Sequence, residues 1–263
     1  MPDWPLSYGQ VIPEMTGGVL FETGHRMVAT AVGILTIILA VWLQWADRRP
    51  WMRRLGWAAL GAVVAQGLLG GMTVLMLQPP AVSTAHACLA QLFFSTTVAI
   101  ALFTSRGWQQ SASQVEDYGR PRLRTLAIVA PLLVLGQIAL GAAFRHRALN
   151  LMPHVLGALV VALTLLSMGT FVMQQFGRHA ALRKAAAVML SITFVQVLLG
   201  VAAYFARLEA ESIPVGMVLT TVAHVAAGGL TLASTIVLSI QIRRNVCAPA
   251  RQPSSRSETA AAR

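Results

Sequence analysis

Six long apolar runs without a charged residue dominate this sequence of 263 residues. A helix needs about 20 mostly apolar residues to cross the hydrocarbon core of a bilayer. One run, residues 55–105, is long enough for two helices and is broken at Gln78-Pro79-Pro80. The predicted spans lie in residues 27–46, in the two parts of 55–105, and in 125–144, 148–177, 185–206 and 212–242. The sequence therefore predicts an all-α, multi-pass membrane protein with seven transmembrane helices.

The low charge content excludes an ordinary water-soluble enzyme. Charged residues make up 11% of the chain, whereas soluble domains carry about 25%. In a soluble protein the formal net charge of +11 would indicate a nucleic-acid partner, but here the charges lie between the apolar runs. We therefore expect the lipid bilayer, and no nucleic acid, as a partner.

The distribution of Lys and Arg predicts how the chain crosses the membrane. Sixteen of the 20 Lys and Arg residues follow the first, third, fifth and seventh spans, and loops rich in positive charge stay in the cytoplasm. The N-terminus is thus predicted outside and the C-terminus in the cytoplasm. Residues 244–263, which lack periodicity, are predicted to form a disordered cytoplasmic tail.

Four histidines occupy equivalent places at the starts of the first, third, fifth and seventh spans: His25, His86, His154 and His224. These spans run in the same direction, so all four imidazoles are predicted near the outer face. Ionisable residues in spans are rare and usually functional, and two imidazoles facing each other across a bundle can hold a heme iron by its axial positions. The alternative is an interfacial histidine bonded to a carbonyl or a headgroup. The loop residues His146 and His179 are predicted to be solvated.

A short internal repeat, Gln-x-x-Leu-Gly, divides the chain into two related halves. Its copies lie at 66–70, 137–141 and 196–200, each in a span that precedes a histidine-bearing one. Spans four to seven then form one four-helix unit, and spans one to three match its last three members. Each half contains one histidine pair for one heme, namely His25 with His86 and His154 with His224.

The repeat predicts three parts and a tail. These are an N-terminal half-bundle in residues 1–105, a cytoplasmic linker in 106–124, a C-terminal four-helix bundle in 125–243 and the tail 244–263. The two half-bundles are predicted to be pseudo-symmetric.

The first half alone contains the segment Glu22-Thr23-Gly24-His25-Arg26. This segment places a carboxylate one turn before a candidate ligand and a cation beside it. A carboxylate at this position is a candidate general acid, general base or stabiliser of positive charge. Alternatively, Glu22 and Arg26, four residues apart on a helix, pair only with each other.

Several of these features together resemble the heme A synthase family of cytochrome oxidase assembly. The resemblance covers residues 2–243 and rests on Pro2-Asp3-Trp4-Pro5-Leu6-Ser7-Tyr8-Gly9, on Glu22-x-x-His25-Arg26 and on the four helix-start histidines. It implies an eight-helix fold of two four-helix halves that converts heme O to heme A by oxidising one ring methyl group to a formyl group. It also implies that His154 and His224 ligate a heme b cofactor, whereas His25 and His86 surround the substrate heme.

The resemblance implies further roles and partners. Glu22 would handle a proton or stabilise a cationic intermediate as a catalytic residue with His25 and His86, and Arg26 would pair with a heme propionate. The protein would be an oxidoreductase of a bacterial-type inner (plasma) membrane. Its expected partners are heme O synthase, other oxidase assembly proteins and further copies of itself.

The chain departs from the family pattern in three places. It begins where the family's first helix would end, so either the start codon is assigned too late or the first half has only three helices. Thr23 replaces a histidine that often follows the glutamate, and the first outer loop lacks the cysteine pair of some members. Two other functions are compatible with the four histidines: a di-heme b-type cytochrome for electron transfer, and a non-catalytic heme-binding factor in oxidase assembly. The Glu22 segment favours the enzyme.

Overall fold

A computed structural model describes residues 4–6, 9–10, 13–14, 16–120, 122–208 and 214–247. Within these ranges seven helices of at least 23 residues are long and apolar enough to cross a membrane, which confirms the all-α, multi-pass fold. They are α1 (Gly17–Ala46), α2 (Pro50–Leu75), α3 (Pro80–Thr104), α5 (Leu123–Arg145), α6 (Met152–Gln175), α7 (Ala180–Leu208) and α8 (Pro214–Asn245). Three short elements complete the fold: helix α4 (Arg106–Gln109) and the paired strands β1 (Val115–Glu116) and β2 (Val246–Cys247).

Prolines and an ion pair lie where the first helices begin. Pro50 and Pro80 occupy the first positions of α2 and α3, where the missing N–H costs no hydrogen bond. α1 begins at Gly17, well before the predicted residue 27. Its second and third turns contain the Glu22–Arg26 ion pair, which supports a helix in a stretch too polar to be recognised as a span.

The second half is a four-helix bundle centred on α8. α8 packs against α5 and α7, while α6 packs against the same two helices. In its most apolar window 61% of α8 is buried inside the protein, against 11–28% for the other six spans. The core between these helices contains fully buried side chains such as Leu165, Met168, Leu182, Met189 and Leu238.

The first half has three long helices and a smaller core. α1 packs on α2 and α2 on α3, around a cluster of Leu43, Met52, Ala59 and Ile100. α3 also packs against α5 and α8, so it joins the two halves. We call the end of the bundle near His25, His86, His154 and His224 the histidine end. The opposite end, with the loops that follow α1, α3 and α6, is the arginine end.

The C-terminal strand closes the arginine end. β2 pairs in parallel with β1 in the linker. Arg244 donates to the carbonyl oxygens of Gly107 and Trp108, and its guanidinium lies 4.2 Å from the Trp108 ring centre. Regular secondary structure therefore extends past residue 244, where the disordered tail was predicted to begin. Helix α8 ends at Asn245, and the strand β2 that follows it pairs with β1. The rest of the predicted tail, residues 248–263, lies outside the described residues.

A charged cluster fixes the α1–α2 loop at the same end. The Asp47 carboxylate accepts hydrogen bonds from the backbone N–H and the guanidinium of Arg49. Arg49 also donates to the carbonyl oxygen of Phe103 on α3, and Arg53 donates to that of Asp47. The bonds from the Arg49 side chain hold the pKa of Asp47 below its ordinary value of 3.8.

Replacing Asp47 by Asn should lower the free energy of unfolding by about 1–3 kcal/mol at neutral pH, because Arg49 loses its charged partner. Since folding lowers the pKa of Asp47, the contribution of the carboxylate is complete well above 3.8 and is lost as the pH falls through the lower, folded-state pKa. Thermal unfolding in detergent at neutral and acidic pH measures both effects. The control is Glu116→Gln, an exposed carboxylate at the same end. Equal unfolding temperatures of the two variants at neutral pH would contradict the expectation.

Candidate functional site

The second half brings one predicted histidine pair together. His154 is the third residue of α6 and His224 the eleventh of α8. Their ring centres lie 6.2 Å apart and their ring planes are perpendicular, at 89°. Both side chains are half-buried. His224 lies in the third turn of its helix rather than in the first turns as predicted. The reason is that α8 has ten residues before its histidine, whereas α6 has two.

The spacing of this pair fits an iron held between two imidazoles. Each metal–nitrogen bond is about 2 Å long, so two ligating rings on opposite sides of one metal have centres roughly 6 Å apart. A ring can rotate about its own metal–nitrogen bond, so perpendicular planes are compatible with this arrangement. His154 and His224 therefore fit the two axial ligands of a heme.

The first half places the other pair on α1 and α3. His25 is the ninth residue of α1 and His86 the seventh of α3. His25 and His146 both lie close enough to His86 to interact with it electrostatically. His86 is half-buried, whereas the His25 side chain is exposed at the surface of α1. His25 also lies in the third turn of its helix rather than in its first turns.

Each copy of the repeat contacts the histidine of the next spanning helix through its glutamine. The side-chain nitrogens are within hydrogen-bond distance of a ring nitrogen, at 3.3 Å for Gln66–His86, 2.9 Å for Gln137–His154 and 3.5 Å for Gln196–His224. Gln137 also donates to the backbone carbonyl oxygen of His154 at 2.7 Å. The repeat is thus part of the site and not only a sign of duplication.

The glycine that ends each copy lies against the same imidazole. A Cβ atom added to the glycine would come close to the ring Cε1 atom, at 3.2 Å for Gly70–His86, 2.8 Å for Gly141–His154 and 3.0 Å for Gly200–His224. Contacts this short leave little or no room for any larger residue. The repeat is visible in the sequence, but its contact with the histidine of the next helix is not. The separation of glutamine and histidine varies from 17 to 28 residues, so no fixed spacing connects them.

Arg26 connects the two motifs of the N-terminal stretch. Its guanidinium pairs with Glu22 at 2.6 Å and donates to the backbone carbonyl oxygens of Pro5 and Leu6. Trp4 lies against α2, where a Cβ on Gly71 would come within 2.7 Å of its indole. Residues 4–6 of the stretch therefore lie at the histidine end beside the Glu22 segment. The other motif residues Pro2, Asp3, Ser7 and Tyr8 lie outside the described residues.

The remaining candidate residues have distinct surroundings. The pKa of His146, beyond the end of α5, is lowered by burial and by the charge of Arg145. His179, which was predicted to be solvated, is half-buried at the arginine end and bonds the Ser113 carbonyl oxygen at 2.8 Å. Thr23 is buried, and its hydroxyl has no hydrogen-bond partner among the described residues.

Comparison with known proteins agrees with these features. A family described as cytochrome oxidase assembly protein matches residues 1–153, which include Glu22, His25, Arg26 and His86. The chain belongs to this family. The family match also extends to the first residues of α6, including Pro153.

Curated relatives of the chain are named heme A synthase. The one from Symbiobacterium thermophilum is 34% identical over 154 residues, which cover 54% of this chain and 48% of the relative. That from Methylobacterium nodulans is 34% identical over 142 residues, covering 52% and 38%. That from Methylobacterium radiotolerans is 29% identical over 249 residues, covering 88% and 65%. In the first two comparisons the chain spans half or less of the relative's length. No solved structure matches the chain.

We expect Glu22→Gln to leave stability almost unchanged. The Glu22 side chain is 54% exposed, and exposed ion pairs contribute about 0–1 kcal/mol. Thermal unfolding in detergent of the wild type and the variant measures the change. A large drop in unfolding temperature would mean that the pair with Arg26 stabilises the fold. Loss of activity in a Glu22 variant could then result from unfolding rather than from a catalytic role.

Proposed function

We propose that this protein is a heme A synthase, a membrane oxidoreductase that oxidises a ring methyl group of heme O to a formyl group. The observation that carries the proposal is the His154–His224 pair at axial-ligand spacing, in a chain whose curated relatives are named heme A synthase. The Glu22 segment lies within the family match and supports an enzyme. An electron-transfer cytochrome would not require it.

The second half, residues 125–243, is proposed to hold a heme b cofactor. His154 from α6 and His224 from α8 would be its axial ligands. When bound, this heme supplies a reversible one-electron carrier. The protein's part is to keep both imidazoles in place and to surround them with the apolar side chains of the bundle.

The first half, residues 1–105, is proposed to bind the substrate heme O and to release heme A. His25 and His86 would contact the substrate from α1 and α3. Conversion of a methyl group to a formyl group takes up one oxygen atom from water or dioxygen, and with water it releases protons and electrons in equal number, the electrons passing to an acceptor outside the chain. Glu22, one turn before His25, would accept a proton or stabilise positive charge there. Arg26 already bonds Glu22 and two carbonyl oxygens, so a heme propionate would bind it beside or in place of these partners.

The orientation in the membrane follows from the charge distribution. We propose that the arginine end faces the cytoplasm of a bacterial-type cell and that the histidine end lies near the outer face. Heme O synthase would supply the substrate, and cytochrome oxidase assembly would consume the product. Further copies of the chain are proposed as partners within the membrane.

The direct test is to co-produce the protein with a source of heme O and to chromatograph the hemes extracted from the membranes. We expect heme A or a hydroxylated intermediate with the wild type. Glu22→Ala should retain bound heme and abolish the product, while Glu116→Ala, at the arginine end, should behave as the wild type. Recovery of heme O alone with the wild type would reject the synthase and favour an electron-transfer cytochrome or an assembly factor.

Replacing His154 or His224 by Ala should remove the low-spin absorbance of the resident heme, because each change deletes one axial ligand. The absorbance of purified protein, normalised to protein concentration, measures this. His179→Ala, a histidine variant at the arginine end, is the matched control and should retain full absorbance. Equal absorbance in all three variants would contradict the assignment of the heme b ligands.

A further inference from the structure

Three of the four site histidines lie in a related local arrangement, in which the glutamine faces Nε2 of His86 and His224 and Nδ1 of His154. In each case a glutamine and a glycine four residues later, on one spanning helix, contact the imidazole of the next. We propose that the glutamine and glycine of each Gln-x-x-Leu-Gly copy are positioning residues, which set the orientation of a heme-ligating imidazole. This inference rests on the proposed heme ligation and assigns a role to residues that do not touch the iron.

The glutamine can accept a hydrogen bond from the ring nitrogen that does not bind the metal. A histidine that ligates through one nitrogen carries its proton on the other, and that N–H needs an acceptor. The Oε1 atoms of Gln66, Gln137 and Gln196 are all buried and, among the described residues, without a hydrogen-bond partner. A side-chain amide has a donor and an acceptor end. Rotation of the amide would therefore offer Oε1 to the ring N–H. At Gln137 this rotation would also give up the bond from Nε2 to the His154 carbonyl oxygen.

The glycine lets the imidazole lie directly against the helix backbone. This contact is not a general property of glycines in these helices. Gly136, one residue before Gln137, and Gly67, one residue after Gln66, would place a Cβ with nothing within 4 Å. The glycines that meet an imidazole are those at the end of the repeat. A side chain there would push the ring away from its present orientation.

In the second half, glycines on the histidine helices also lie against the glutamine side chains. A Cβ on Gly157, three residues after His154, would collide with Gln137, and one on Gly228, four residues after His224, would lie 3.4 Å from Gln196 Nε2. The histidine helices thus also make room for the glutamine side chains. In the first half Ala90 follows His86 by four residues. The two imidazoles proposed to hold the cofactor are also those in closest contact with the glycine of their repeat.

The glycine is tested with Gly141→Ala and the matched control Gly136→Ala on the same helix. The added methyl group of Gly141→Ala would lie 2.8 Å from His154 Cε1 and must tilt the ring. We expect its heme affinity to fall by about 10- to 100-fold, as for other changes to residues that hold metal ligands. The EPR g-values of the remaining low-spin heme, which report the angle between the ring planes, should shift. Gly136→Ala should keep the affinity and the g-values of the wild type.

The glutamine is tested with Gln137→Leu and Gln137→Glu in the purified holoprotein. An acceptor for the ring N–H makes the imidazole a more basic ligand and favours the oxidised iron. Gln137→Leu should raise the midpoint potential of the resident heme, and Gln137→Glu should lower it. A merely structural role would move both potentials in the same direction or only reduce heme content. Gln66→Leu, in the first half, should leave the potential of the resident heme unchanged.

The outcomes separate this inference from the proposed function. A wild-type protein without bound low-spin heme would overturn both. Loss of heme in His154→Ala, together with unchanged g-values in Gly141→Ala and an unchanged potential in Gln137→Leu, would leave the heme ligands standing and overturn the positioning role alone. Shifts in the expected directions support both. Should Gln137→Glu fail to accumulate, the Gly141→Ala and Gln137→Leu results decide the matter.

Discussion

An imidazole between membrane helices needs a hydrogen-bond partner from the protein, because the bilayer core offers no water to replace one. His86, His154 and His224 each meet this requirement with a glutamine on the spanning helix just before their own. The same contact ties α2 to α3, α5 to α6 and α7 to α8. The helix pair, rather than the single helix, is therefore the unit that both halves repeat.

The way these pairs pack determines where the histidines meet. α8 is the most buried helix, and it places His224 beside His154 of α6 at the histidine end of the second bundle. α8 also packs against α3, the helix of His86, and Gln91 of α3 reaches Gly229 on α8. Thus α3 carries a histidine of the first candidate site, and α8, which packs against it, carries a histidine of the second. Direct packing of α3 on α8 therefore links the two halves that carry the candidate sites.

The sequence predicted the membrane fold well and the internal geometry of the site only in part. Charge-free runs identify spans reliably because the bilayer demands apolar residues, and all seven were confirmed within the described residues. The start of α1 was placed too late because its second and third turns contain Glu22 and Arg26. Hydropathy does not reveal which helix faces touch, so the role of the repeat became visible only when each glutamine was found beside a ring on the following helix.

The closure of the arginine end has a consequence for biosynthesis. The linker that follows α4 is held by β2 and by Arg244, which lie more than 130 residues later in the chain. A ribosome releases the N-terminal half first, so the linker has no strand partner until α8 has been translated. Nascent chains stopped before residue 246 would carry an open linker, and its protection from added protease would mark the moment at which synthesis of the bundle is complete.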